Sequence, residues 1–292
     1  MLGAGESPPA TFWRAFFVSA VLTTASFAAA PAGPAPELAQ VGKPDAAEAA
    51  RILEQFRRSG VLGQYYLEFE LRVLPRAGEE QVFNGRMWGG RNDDGPVTRV
   101  ELTDAAGGRH RLLVQNGEKP AVWRLAGGKV SSLGAGELFA AVIPGVEVTA
   151  FDLQRPFLYW PDATLESIRR VLGRPAYAFL FRAPPGFDPA AAEIAAARAY
   201  FDTQFNQPLQ TELLDRSGKV LKTFSIVSLK TIDQQTLPKA VDFRNEGTRD
   251  KTRLQLTGAT LGVELPPAIF DPGKLGEDVR PPDAGRITRI EP

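Results

Sequence analysis

The apolar positions of this chain follow two periods in succession. The first is helical. Asp45-Ala46-Ala47-Glu48 has the form of a helix start, a capping side chain with an acid three residues later. Ala49, Leu53 and Phe56 then recur at i, i+4 and i+7 with Ile52 beside them. Arg57 and Arg58 lie where cations suit the helix dipole, and Gly60 ends the run. The spacing predicts one amphipathic helix of about four turns.

After Gly60 the period becomes two. In QYYLEFELRVL, Tyr65, Leu67, Phe69, Leu71 and Val73 share one face while Glu68, Glu70 and Arg72 share the other, the pattern of a half-buried strand. Residues 82–91, with Phe83, Met87 and Trp88, form another candidate strand. Further pairs of extended runs flank turn residues: 97–103 with 109–115, 121–125 with 129–133, 169–172 with 176–182, 209–215 with 219–229, and 240–246 with 251–257. Residues 137–142 read as one or two helical turns. The stretch 184–200 admits two readings, a helix on its alanines or a loop followed by a strand ending in Tyr200-Phe201-Asp202; the neighbouring hairpins favour the strand.

The elements add up to a mainly β chain with a few helices. Successive antiparallel strands with one apolar face need closure or cover. A curved sheet or half-open barrel with helices packed on its concave side meets that need.

Residues 15–30, AFFVSAVLTTASFAAA, follow Arg14 and end in small residues. The run has the length of a signal-peptide core and falls short of the roughly 20 residues of a membrane span. The expected organisation is a cleaved signal peptide over 1–30, a Pro/Ala-rich linker over 31–44, a folded domain over 45–270 and a flexible tail over 271–292, which is rich in Pro, Gly and charge. An uncleaved anchor is the alternative to cleavage. Either way the rest of the chain is expected outside the cytoplasm.

Composition narrows the chemistry. With 292 residues, 43% of them hydrophobic, the chain can bury a sizeable core. Lys plus Arg equals Asp plus Glu at 34 each, a balance that argues against a nucleic-acid binder. The absence of cysteine excludes disulfides, thiolate nucleophiles and thiolate metal sites, and removes the acceptor for an N-terminal lipid on cysteine. A single histidine, His110, excludes a multi-histidine metal site. No nucleophile elbow, zincin motif, P-loop or dinucleotide fingerprint occurs. His110, between Arg109 and Arg111 at a strand start, reads as a surface residue, and Asp93-Asp94 and Glu79-Glu80 read as turn and loop acids. The expectation is a protein without cofactor, metal or catalytic activity.

What remains is apolar surface. Tyr65, Leu67, Phe69, Leu71, Trp88, Trp123, Phe139, Phe157 and Trp160 are the candidate ligand-binding positions. They read either as plain core or as the lining of a concave cavity beneath the helices.

One further pattern bears on the choice. Phe151-Asp152-Leu153-Gln154-Arg155-Pro156-Phe157-Leu158-Tyr159-Trp160 is followed by Val171-Leu172-Gly173-Arg174-Pro175-Ala176, by Phe201-Asp202, by Pro208-Leu209-Gln210-Thr211-Glu212 and by Asp215-Arg216-Ser217-Gly218-Lys219. This order resembles a divergent branch of the outer-membrane lipoprotein-sorting (LolA/LolB-like) superfamily, over roughly residues 46–259. The resemblance implies a half-open antiparallel β-barrel with a helical lid and a cavity for acyl chains. It implies a periplasmic carrier of lipoprotein acyl chains or other lipid, in contact with envelope transport proteins and peripheral to the membrane at most. The alternative is a periplasmic β-scaffold that binds another envelope protein without lipid cargo. Arg155-Pro156 and the long C-terminal segment have no counterpart in a carrier role.

Overall fold

The first predicted element, Ala46–Arg58, is helix α1 in a computed structural model that describes residues 44–291 apart from 59, 118, 188–192 and 205–206. The expected signal peptide and all of the linker before Pro44 lie outside the described residues. Asp45 caps α1 by accepting the amide of Glu48 at 2.8 Å, and Ile52, Leu53 and Phe56 form its buried stripe.

Thirteen strands then follow in one antiparallel sheet: β1 (Tyr65–Leu74), β2 (Gln81–Asn92), β3 (Gly95–Thr103), β4 (Arg109–Gln115), β5 (Ala121–Ala126), β6 (Lys129–Ser132), β7 (Asp162–Val171), β8 (Arg174–Arg182), β9 (Ala196–Asp202), β10 (Pro208–Leu214), β11 (Val220–Ile232), β12 (Gln235–Asn245) and β13 (Lys251–Leu261). Their spatial order is β6-β5-β4-β3-β2-β1-β13-β12-β11-β10-β9-β8-β7. Two meanders are thus joined through β1 and β13, and the end strands β6 and β7 stay apart, so the sheet is curved and open. A short β14 (Thr288–Arg289) pairs with Gly258 and Ala259 of β13, where β12 no longer follows it.

The strand favoured for the 184–200 stretch is present as β9. The largest differences from expectation are at two strand starts. β7 begins at Asp162 instead of 169, and β12 begins at Gln235 instead of 240. The second difference has a local cause. Asp233 and Gln234 both take positive φ (47° and 61°), making a two-residue hairpin turn from a pair other than the usual Asn-Gly.

Because β6 and β7 lie at opposite ends of the sheet, the chain between them crosses its concave side. This crossing contains a 3-10 turn (Ala135–Phe139), helix α2 (Ala150–Gln154) and a second 3-10 turn (Pro156–Tyr159). Val142, Ile143, Val146 and Val148 pack with the inward residues of β1–β4 and β11–β13. Phe151, Phe157 and Trp160 pack with β7–β10 and α1. Phe56 of α1 stacks on Phe201 of β9 with ring centroids 4.0 Å apart.

The C-terminal segment corrects the expectation of a flexible tail. It lies on the convex face as a strap. Ile269 and Ile287 cover Tyr66 and Trp88, and fully buried Leu275 packs on Val97 and Leu113. Two buried arginines hold its backbone. Arg99 donates to the carbonyls of Lys274 and Leu275 at 3.2 and 3.0 Å, and Arg111 to that of Gly276 at 2.6 Å. A Pro/Gly-rich segment has few side chains with which to pack, so arginines on the sheet satisfy its carbonyls instead.

Candidate functional site

The open side of the sheet encloses a cavity of about 660 Å³, inside the roughly 300–1,000 Å³ range of small-molecule sites. Three sources build its wall. The sheet supplies alternate side chains of several strands: Leu67 and Phe69 from β1, Met87 from β2, Val100 from β3, Phe224 from β11, Val241 and Phe243 from β12, and Leu254 and Leu256 from β13. Helix α1 supplies Phe56, Arg57 and Arg58, and the crossing segment supplies Asp152 to Arg155 and Phe157 to Tyr159.

Glycine on β2 makes room for the largest of these rings. Gly85 is the neighbour of Phe69 in register, and a Cβ there would come within 2.3 Å of the ring. The Phe69 ring therefore lies flat along the sheet, which keeps volume in front of it.

The helix and the crossing segment are fastened together at the rim. Arg57 Nε donates to the Leu158 carbonyl at 2.6 Å, and its guanidinium stands over the Tyr159 ring, 5.7 Å from the centroid. The bend between α1 and β1 is joined to the β11–β12 turn, where the Leu62 amide donates to Gln235 Oε1 at 2.7 Å.

A few polar groups interrupt the apolar wall. Tyr65 Oη is 3.4 Å from Thr98 Oγ1. Burial holds the Tyr65 phenol above its ordinary pKa, and the Tyr159 phenol likewise. Asp152 caps α2 by accepting the amide and hydroxyl of Thr149, both at 2.8 Å, and forms an ion pair with Lys222. Arg155 follows the helix in left-handed backbone (φ 52°, ψ 53°), and burial pulls its guanidinium below the usual arginine value.

The sequence-derived candidates separate into three groups. Tyr65, Leu67, Phe69 and Phe157 line the cavity. Leu71, Phe139 and Trp160 do not line it; they pack in the same clusters as Leu67, Phe69 and Phe157, with Phe139 stacked on Phe151 at 4.7 Å. Trp88 and Trp123 are on the opposite, convex side beneath the strap, a correction to their place in the candidate set. Parity explains the two tryptophans. Trp88 pairs with Tyr66 and Trp123 with Leu113, whereas the inward residues of β2 are those that pair with Tyr65, Leu67 and Phe69.

Phe224, Phe243, Leu254 and Leu256 were missed. Their alternation along β11–β13 carried the signal, since Val241 with Phe243 and Leu254 with Leu256 each repeat at two residues. Helix α2 was missed as well, although Thr149-Ala150-Phe151-Asp152 spells a capping box.

His110 accepts no role in this site. Its Nε2 is 3.0 Å from Asp104 Oδ2 at the β3–β4 turn. Among the described residues, no cluster of three or more His, Asp or Glu side chains is placed to hold a metal ion, and no helix is long and apolar enough to cross a membrane.

Three solved structures share this architecture. A domain from Vibrio parahaemolyticus named for outer-membrane lipoprotein sorting superposes with a TM-score of 0.67 at 15% identity, covering 79% of this chain and 97% of its own. A LolA-superfamily protein from Nitrosomonas europaea gives 0.58 at 16% identity, covering 76% and 97%. The chain has a LolA-like fold. A DUF1329 family protein from Desulfovibrio piger shares the LolA-like fold at a TM-score of 0.65 and 15% identity, covering 78% and 96%. A family profile described as an uncharacterized protein matches residues 188–277, a region that includes β9–β13 of the LolA-like sheet. No curated protein matches the chain in sequence.

Proposed function

We propose that this protein is a periplasmic carrier that holds lipoprotein acyl chains or another lipid in the cavity between its sheet and its helices. The observation that carries the reading is the unfilled, predominantly apolar space of about 660 Å³ facing Leu67, Phe69, Phe243 and Leu256. Apolar ligand atoms gain about 0.8 kcal/mol for each CH₂ taken from water. Supporting it are the LolA-like fold, the naming of one structural neighbour for lipoprotein sorting, and the apolar run at 15–30 with the form of an export signal.

The same cavity counts against a β-scaffold without cargo, which would have a filled interior. It also disfavours catalysis, because among the described residues the polar groups that reach the space include no nucleophile beside a base.

Mass spectrometry of an organic extract from purified protein is the test. Co-purifying lipid is the expected result. A protein that is repeatedly empty, and that also fails to bind a fluorescent fatty acid, would rule the carrier reading out.

A further inference from the structure

Arg155 is out of keeping with its surroundings. It is enclosed by protein yet keeps part of its surface open to the cavity. Among the described residues its guanidinium forms no hydrogen bond and no ion pair. Asp152, the one acid among the described residues of the cavity wall, is committed elsewhere: its carboxylate binds Lys222 and the Thr149 cap. The phenols of Tyr65 and Tyr159 share the cavity wall with it, and burial, which raises the pKa of both, keeps them neutral.

Two costs meet at this residue. A largely buried cation without a counter-ion has lost much of its hydration, and no charged partner in the described chain replaces it. Its backbone is left-handed, which a non-glycine residue seldom adopts, and the Pro156 that follows disfavours helical backbone on the residue before it. The left-handed turn has a geometric result, since it ends α2 and begins the next 3-10 turn with Arg155 on the cavity wall.

A guanidinium offers several donors in a plane and pairs with carboxylate or phosphate oxygens through two parallel bonds. An apolar cavity with one such group fits an amphiphile with an acidic head. Arg91 and Arg58 add positive charge along the same wall, so its formal charge is positive even with Asp152 included.

We infer that Arg155 anchors the acidic head of the bound molecule, and that the cargo is an anionic amphiphile whose tail fills the cavity while its carboxylate or phosphate meets Arg155 beside Tyr65. The inference rests on the carrier reading and makes it specific: the cavity selects by charge as well as by greasiness.

The test compares cis-parinaric acid with its methyl ester, two fluorescent probes that share a tail and differ in head charge. Wild-type protein is expected to bind the acid at least about tenfold more tightly, since leaving a buried charge unpaired is costly. In R155M the ratio of the two affinities is expected to fall to near one, and in R155K to lie between.

Competition on the unaltered protein keeps the idea open to refutation if R155M does not fold. Laurate and dodecyl phosphate should each displace the probe at lower concentration than dodecanol. Whichever of the two wins identifies a carboxylate or a phosphate head. Equal displacement by all three, or equal binding of acid and ester by wild type, overturns the inference and leaves the carrier reading standing. Failure of both probes to bind removes the carrier reading and this inference together.

Discussion

The ring of Tyr65 lies across Gly89, its neighbour in register on β2, so closely that a Cβ at position 89 would sit 2.0 Å from Tyr65 Cζ. The same arrangement recurs four residues away with Phe69 over Gly85. Substitution G89A must push the Tyr65 ring off the sheet and into the space where Arg155 and Thr98 face it. The expected outcome is a stability loss of about 1–3 kcal/mol, the usual cost of overpacking, together with weaker binding of cis-parinaric acid. Urea denaturation and probe titration check the two effects separately; an unaltered affinity in a folded G89A protein would mean that the ring does not border the ligand.

Lys222 and Asp152 form a pair with side chains only 14% and 6% exposed. Removing one partner strands the other charge in the interior. K222M is expected to cost about 3–5 kcal/mol, and adding D152N to it should recover part of that loss, because the amide keeps the polar cap on α2 without the charge. Denaturation midpoints of the single and double variants decide the point, and a double variant no better than K222M would contradict it.

Leu275 is the plug of the strap on the convex face. L275A is expected to destabilise the protein by about 2–5 kcal/mol. It should also let acrylamide reach Trp88 and Trp123, which the strap covers, so the quenching constant is the discriminating measurement. Quenching that stays at the wild-type level would show that the strap holds without this side chain.

Asp242 gives the fold an acid limit. Burial raises its carboxyl pKa, but hydrogen bonds from Arg253 and Lys251 outweigh this and hold it below the ordinary carboxylate value. The ionised form is therefore favoured by folding. Its contribution is essentially complete by about pH 5, a unit above the unfolded value of about 3.9, and is lost as pH falls through the depressed folded value. In D242N the decline of the urea midpoint between pH 5 and pH 2 should be shallower than in wild type; parallel curves would assign the acid limit to other groups.

Much of this architecture could be read from period and turn chemistry. Tyr65, Leu67 and Phe69 were placed on one face by alternation alone, and that face does border the cavity. What alternation cannot supply is which side of a strand is concave when both sides are covered. Trp88 and Met87 are adjacent and both apolar, and only the register with β1 assigns Met87 inward and Trp88 outward. The strap was illegible for a related reason. Its Pro/Gly composition resembles a loose tail, and the side chains that hold it, Arg99 and Arg111, lie more than 160 residues earlier in the chain. Arg155 was visible as an oddity, an arginine before proline in an aromatic run, but its lack of an internal partner is a property of the folded surroundings.

The pairing of β1 with β13 brings Tyr65 next to Leu261, and this governs the order in which the molecule can assemble. Each meander is built from neighbouring hairpins and can form by local contacts, whereas their seam must wait for a strand almost two hundred residues downstream, with the slow closure that such separation brings. Until β13 arrives, β1 is an edge with unpaired amides and an apolar face, the kind of surface that invites pairing with another chain. The C-terminal segment touches both sides of that seam, since β14 adds to β13 while Leu275 packs on Val97 and Leu113 of β3 and β4. It is thus a fastening across the one join in the sheet that hairpins do not make.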